Sequence, residues 1–312
     1  MKPIKLEPIY NQTIWGNDKL STFRHRPANS EGTAWEISAH EGCDNLVLNK
    51  EYEGKTISQL IKENPIEMLG TEVKENRMLR VALLDAKESL SIQVHPDEEY
   101  AQKYEDDHGK TESWYVLEAE EGAKLVAGCD FTSKEEIKKA IDDGTIEDHL
   151  TYHPVKVGDF IGISAGTLHA LGANIFAIEI GTNSDTTYRF FDYNRVDDKG
   201  NARPLHIEKS LDVVRTDYHP EIVSTPLDGQ PKEKLLTNLE EFKVLLVDTE
   251  DSYTIHMDGK RFKTISNVKD DVILKYGDEE VPLAALESMF IPASSSDVTV
   301  IGKTRLLIGQ PK

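Results

Sequence analysis

Gly158-Asp159-Phe160-Ile161-Gly162-Ile163-Ser164-Ala165-Gly166-Thr167-Leu168-His169 reads as a short strand bounded by glycines, a tight turn at Ser164-Ala165-Gly166, and a histidine delivered just beyond it. Working outward, Leu90-Ser91-Ile92-Gln93-Val94-His95-Pro96-Asp97 is a second short strand. Successive side chains of a strand alternate faces, so Gln93 and His95 point one way while Ile92 and Val94 pack on the other. Between the two, Lys110-Thr111-Glu112-Ser113-Trp114-Tyr115-Val116-Leu117 sets a glutamate where an apolar run opens, which puts Glu112 at the start of a neighbouring strand. Gln93, His95, Glu112 and His169 together are a complete ligand set for one divalent metal. Two imidazoles, a carboxylate and an amide oxygen suit zinc, with room left for a water or a substrate oxygen.

The rest of the chain bounds the class of protein. Its 312 residues favour about two domains with material for a core. With 38% hydrophobic and 29% charged residues, the composition is that of an ordinary soluble globular protein. Met1-Lys2-Pro3-Ile4-Lys5-Leu6-Glu7-Pro8 has no apolar signal core, and no apolar run approaches the ~18 residues of a membrane span, so a cytoplasmic location is expected. Cys43 and Cys129 are too few for a disulfide scaffold and are not at zinc-finger spacing, which makes both reduced and structural. The formal net charge of -20 argues against nucleic acid or an anionic membrane as partner, because both are polyanions.

Few segments carry helix signals. Thr56-Ile57-Ser58-Gln59-Leu60-Ile61 is a capping box opening a short helix, and Ser133 to Asp143, closed by Gly144, is a clearer helix. Thr216 to Glu233 is rich in proline and reads as a linker. From Asp248 to Gln310, short apolar or alternating runs are broken by Asp258-Gly259, Asn267, Asp270-Asp271, Gly277 and Gly302, the signature of a second small β unit.

Gly158 to His169 resembles the second motif of the cupin family, G-x5-P-x-G-x2-H-x3-N, with both glycines and the histidine in place, Ser164 for the proline and Ala173 for the asparagine. Gln93-x-His95 is similar to the first cupin motif with glutamine in place of its first histidine, and Glu112 comes later than in the generic pattern. Both departures resemble one branch, the type I mannose-6-phosphate isomerases in their short bacterial form. The likeness spans Trp15-Gly16, Trp35-Glu36-Ile37-Ser38, Ser91 to Pro96, Gly109-Lys110-Thr111-Glu112-Ser113-Trp114-Tyr115, and Asn183-Ser184-Asp185-Thr186-Thr187-Tyr188-Arg189. It implies a mainly β protein of two cupin-like (jelly-roll) β-barrel domains with a few short helices. Residues 1–230 would form the catalytic, metal-binding domain and residues 231–312 a metal-free copy, since no histidine follows Glu287 to Ser294 at ligand spacing.

The same resemblance implies interconversion of mannose 6-phosphate and fructose 6-phosphate through an enediol, with one Zn2+ per chain on Gln93, His95, Glu112 and His169. A proton must then move between C1 and C2, and two carboxylates are candidates: Glu179, set between Ile178 and Ile180, and Asp185, four residues before Arg189. By periodicity alone Glu179 is equally an outward-facing strand residue; the family's functional glutamate and arginine, ten residues apart, favour a site role. A phosphosugar is an anion, so this acidic chain must gather cations locally, and Lys110 and Arg189 are the catalytic and substrate-binding candidates for that work. Ser91, two residues before Gln93, is a further substrate-binding candidate. Two other readings stand beside this one. His95, Glu112 and His169 also satisfy the two-His-one-carboxylate triad of a cupin non-haem iron dioxygenase, and a non-enzymatic sugar-binding cupin needs no proton-transfer carboxylate at all.

Overall fold

A computed structural model describes residues 1–197, 199–227 and 233–312, with the side chain of Glu75 excepted. The chain is mainly β, as expected, with antiparallel strands gathered in four sheets. A seven-stranded sheet runs in the order Ile9–Asn17, Glu31–Ile37, Leu79–Ala86, Ile175–Thr182, Glu112–Ala119, Asp159–Ile163, Val223–Ser224. Facing it, a five-stranded sheet holds Tyr188–Phe191, Ile92–Val94, His169–Ala170, Lys124–Cys129 and Leu150–Pro154. From Glu233 onward the chain builds a second pair, a five-stranded sheet centred on Thr304–Pro311 and a four-stranded sheet centred on Val298–Ile301 and Val272–Tyr276. The sheets face one another in pairs and stay open, so the closed barrels expected from the sequence are not formed among the described residues. The edges explain this: Val223–Ser224 is only two residues long, and Ile9–Asn17 breaks register with its neighbour at Asn11/Gln12 and again before Asn17, so neither outer strand continues a ladder around.

The centre of the seven-stranded sheet is buried on both faces, which is why Leu79-Arg80-Val81-Ala82-Leu83-Leu84-Asp85-Ala86 reads as an almost continuous apolar run rather than an alternating one. Leu79, Val81 and Leu83 pack against Phe242, Val244, Leu246 and Leu307 of the C-terminal sheet. Ala82, Leu84 and Ala86 face inward, with Trp114, Val116, Ile161 and Ala177, toward the five-stranded sheet. The outer face of that second sheet carries Ile92, Val94 and Phe190 and is covered by Ile137 and Ala140 of the helix Lys134–Asp143.

Both expected helices form. Thr56 and Gln59 cap Ile57–Glu63 reciprocally, and Ser133 caps Lys134–Asp143, which stops where Gly144 takes a left-handed conformation at φ 69°. Four further helices of five to seven residues, Lys19–Phe23, Pro65–Leu69, Glu98–Tyr104 and Ile207–Val213, were too short to leave a clear periodic signal. Among the described residues, no helix is long and apolar enough to cross a membrane. Cys43 and Cys129 are free and buried.

The boundary expected at 230/231 lies outside the described residues. What precedes it is docked rather than a free linker: Val223–Ser224 pairs with Phe160 and Asp159, and Thr225 donates to the Gly158 carbonyl from both its backbone N–H and its hydroxyl. Arg305 fastens the C-terminal sheets at this point. Its guanidinium is buried and donates twice to Asp248 at 2.6 Å, to the Tyr115 hydroxyl at 2.9 Å and to the Thr225 carbonyl at 2.7 Å, joining three parts of the chain. Arg305→Met would leave Asp248 charged and unpaired beside the core, and should cost about 3–5 kcal/mol. A lowered urea midpoint checks this; an unchanged midpoint would show that the node does not hold the sheets together.

Candidate metal centre and active site

The site forms where the inner faces of the first two sheets meet. Alternation along Ile92–Val94 buries Ile92 and Val94 outward and turns Gln93 inward, with His95 following on the same face. His169 lies directly across the ladder from Gln93, delivered by the turn in which Gly166 adopts φ 86°. Glu112 opens its strand, but that strand belongs to the facing sheet rather than the adjacent position expected from sequence. Gly181 stands opposite Glu112, and a Cβ there would meet Thr111 O at 2.8 Å and Glu112 Cβ at 3.0 Å, so glycine leaves the space the carboxylate needs.

The four side chains converge. His95 Nε2 and His169 Nε2 are 3.1 Å apart, Glu112 Oε2 is 3.4 Å from the first, Glu112 Oε1 is 3.2 Å from the second, and the Gln93 amide is 3.3 Å from His169 Nε2. Each imidazole faces a backbone carbonyl through Nδ1, His95 to Thr186 O at 3.0 Å and His169 to Thr167 O at 2.8 Å. A carbonyl can only accept, so each Nδ1 carries the proton and each Nε2 turns a lone pair inward. Two lone pairs and two carboxylate oxygens in one buried space repel unless a cation sits among them. Both Glu112 oxygens are buried and accept no well-formed hydrogen bond; Lys110 Nζ stands 3.0 Å from Oε2 as an ion pair. A half-turn of the Gln93 amide, whose two ends are interchangeable, would aim its oxygen at the same point. The donor set therefore fits a divalent metal, and His95, Glu112 and His169 form a cluster with ligand atoms within 4.8 Å of one another.

Electrostatics agree with that arrangement. Burial, helped by the charge of Lys110, pushes His95 down to about 3, so its imidazole is neutral at physiological pH. Burial works against the Glu112 charge, but Lys110 and the two histidines outweigh it and hold the carboxyl well below its ordinary value. Glu179 is displaced the other way: burial and the nearby Glu112 charge raise it, with Lys110 and Arg80 opposing.

Glu179 is thus an inward residue, not the outward one periodicity allowed, because it shares a face with Ala177 and pairs across the sheet with Trp114. Lys110 reaches the centre although it precedes its strand. Asp185 is more than half exposed. Arg189 stands in the rung beside Gln93, and its guanidinium donates to the Pro204 carbonyl at 2.9 Å; burial and nearby Arg203 lower its pKa. Ser91 is buried two residues before Gln93, with no recorded polar contact to the ligands among the described residues. Sequence reasoning missed Arg80. Its side chain, 1% exposed, lies over the Trp35 ring at 3.9 Å, places Nη2 3.5 Å from Glu179 and Nη1 3.2 Å from Asp185, and so joins both candidate carboxylates. The available signal was a charge inside an apolar run, which must find a partner when buried.

Comparison with known proteins agrees. Residues 4–139 match the family described as phosphomannose isomerase type I, catalytic domain. The chain is 41% identical over 227 residues to the probable mannose-6-phosphate isomerase GmuF of Bacillus subtilis, covering 72% of this chain and 71% of that protein. It is 33% identical over 311 residues to the putative mannose-6-phosphate isomerase YvyI of the same organism, covering 98% of each. The crystal structure of the mannose 6-phosphate isomerase from Bacillus subtilis superposes with a TM-score of 0.89 at 33% identity, over 99% of both chains. Site and likeness lead to one conclusion: the chain belongs to the type I mannose-6-phosphate isomerase family and is an enzyme of that kind.

Proposed function

We propose that the chain interconverts mannose 6-phosphate and fructose 6-phosphate through an enediol, with one zinc ion held by Gln93, His95, Glu112 and His169. The observation that carries this reading is the facing pair of imidazole lone pairs, 3.1 Å apart, beside a buried carboxylate whose oxygens accept no well-formed hydrogen bond. Zinc held there supplies a Lewis acid for negative charge on the sugar oxygens. Glu179 takes the C2 proton of the open-chain aldose and returns it to C1; the C2–H bond breaks, the C1–H bond forms, and a hydroxyl proton passes from O2 to O1. A buried carboxyl with a raised pKa suits a base working near neutrality, and this favours Glu179 over exposed Asp185. Arg80 orients Glu179, Lys110 donates toward the oxygens, and Arg189 receives the phosphate or an enediolate oxygen, with Ser91 lining the same side. Family membership leaves the dioxygenase and the non-enzymatic sugar-binding readings without support of their own.

We also read the chain as two jelly-roll units, the second running from Glu233 to Lys312 and contributing stability rather than chemistry. Zinc-loaded protein should isomerise mannose 6-phosphate, lose the activity on stripping with a chelator and regain it with added zinc. No isomerisation by loaded protein, or equal rates with and without metal, would overturn the assignment.

A further inference from the structure

Asp107 lies outside the ligand set and outside every motif that the sequence singled out. Its carboxylate nevertheless gathers the segment 184–186: Oδ2 accepts from Ser184 Oγ at 3.1 Å, from the Asp185 backbone N–H at 3.1 Å and from Thr186 Oγ1 at 2.7 Å. Oδ1 accepts from the His108 backbone N–H at 2.7 Å and lies 3.5 Å from His40 Nε2. Burial opposes its charge, but His40 and these donors hold the carboxyl below its ordinary value, so it is ionised and purely an acceptor, able to serve all of them.

The segment it holds has two connections to the site. The Thr186 carbonyl accepts from His95 Nδ1 at 3.0 Å, which sets the tautomer and ring angle of that ligand. Asp185 pairs with Arg80 at 3.2 Å, and Arg80 in turn lies 3.5 Å from Glu179. One carboxylate therefore stands behind a metal-ligating imidazole and a proton-transfer carboxylate at once.

We infer that Asp107 is a positioning residue for this reaction, fixing segment 184–186 so that His95 and the Arg80–Glu179 pair hold their working orientations. The inference rests on the zinc reading of the site. Without the carboxylate, segment 184–186 loses three of the bonds that fix the Thr186 carbonyl and keeps the tie through Ser184 to the His108 carbonyl; an outer partner of a metal-bound histidine contributes about 10–100-fold in metal affinity or activity.

The test uses full-length Asp107→Asn, which keeps the size but turns one acceptor into a donor, and Thr186→Val, which removes one donor to it while leaving the carbonyl. Asp44→Asn is the control: Asp44 accepts from the Ser58 backbone N–H and hydroxyl and has no hydrogen bond to the ligands or to segment 184–186 among the described residues, so its loss should lower stability alone. For each protein, zinc affinity is measured by chelator competition, and kcat and KM on zinc-loaded enzyme. In Asp107→Asn, zinc affinity and kcat should each fall roughly 10–100-fold with KM nearly kept, Thr186→Val should shift both in the same direction by less, and Asp44→Asn should shift neither. Should Asp107→Asn fail to fold, Thr186→Val decides. Zinc affinity and kcat within twofold of the parent in whichever variant decides would overturn the inference, as would an equal loss in Asp44→Asn. If the parent itself binds no stoichiometric zinc, the zinc reading falls and takes this inference with it, and that result is distinct from an unaffected variant of a zinc-binding parent.

Discussion

Protein carrying His169→Ala or His95→Ala should leave purification with little of the zinc that the parent retains. Four ligands share a binding free energy of ~10–16 kcal/mol, so one imidazole accounts for about 3 kcal/mol, or about two orders of magnitude in affinity. His169 should be the more damaging loss, because it faces His95, Glu112 and Gln93 at once, within 3.1 to 3.3 Å. Deleting it also leaves Glu112 Oε1 buried without the group that faces it, since Lys110 stands at the other oxygen, Oε2. Elemental analysis of the purified variants is the measurement. Full stoichiometric metal in both would move the metal elsewhere in the chain.

In the zinc-replete enzyme, Glu179→Gln should retain metal and lose ~10²–10⁴-fold in kcat, the ordinary worth of a positioned acid–base group. Asp185→Asn should lose far less, since its carboxylate is more than half exposed and reaches the centre only through Arg80. Arg189→Ala should also keep zinc while turnover falls. Were its part confined to holding the phosphate in the ground state, KM would rise with kcat nearly unchanged; stabilisation of the enediolate lowers kcat as well. The second outcome is the expected one, because Arg189 occupies the rung next to Gln93, on the strand beside the ligands. Steady-state kinetics of the three variants separate these cases, and normal kcat and KM in Arg189→Ala would remove that residue from the site.

Local rules went far in this chain because the ligands come from short strands. Alternation alone put Gln93 and His95 on one face, the glycine-bounded strand and turn before His169 aimed the second imidazole, and the start of the apolar run located Glu112. Reciprocal capping at Thr56 and Gln59, and Ser133 with Gly144, marked the two best helices for the same reason, since a cap is satisfied within a few residues. Which sheet each strand joins was not legible, so Glu112 was expected beside Gln93 and instead arrives from across the sandwich. The open sheets in place of closed barrels belong with that: pairing at an edge depends on bulges and on how short the outer strands are, and alternation is blind to both. Glu179 read equally well as inward or outward until its partners across the sheet, Ala82 and Trp114, were known. Arg80 and Asp107 lay deepest out of view. Arg80 pairs with Asp185, 105 residues away, and Asp107 serves donors 77 to 79 residues away. A buried charge announces in sequence only that it must find a partner; folding decides which partner, because the energy that selects it comes from groups that meet only when the two sheets close over one another.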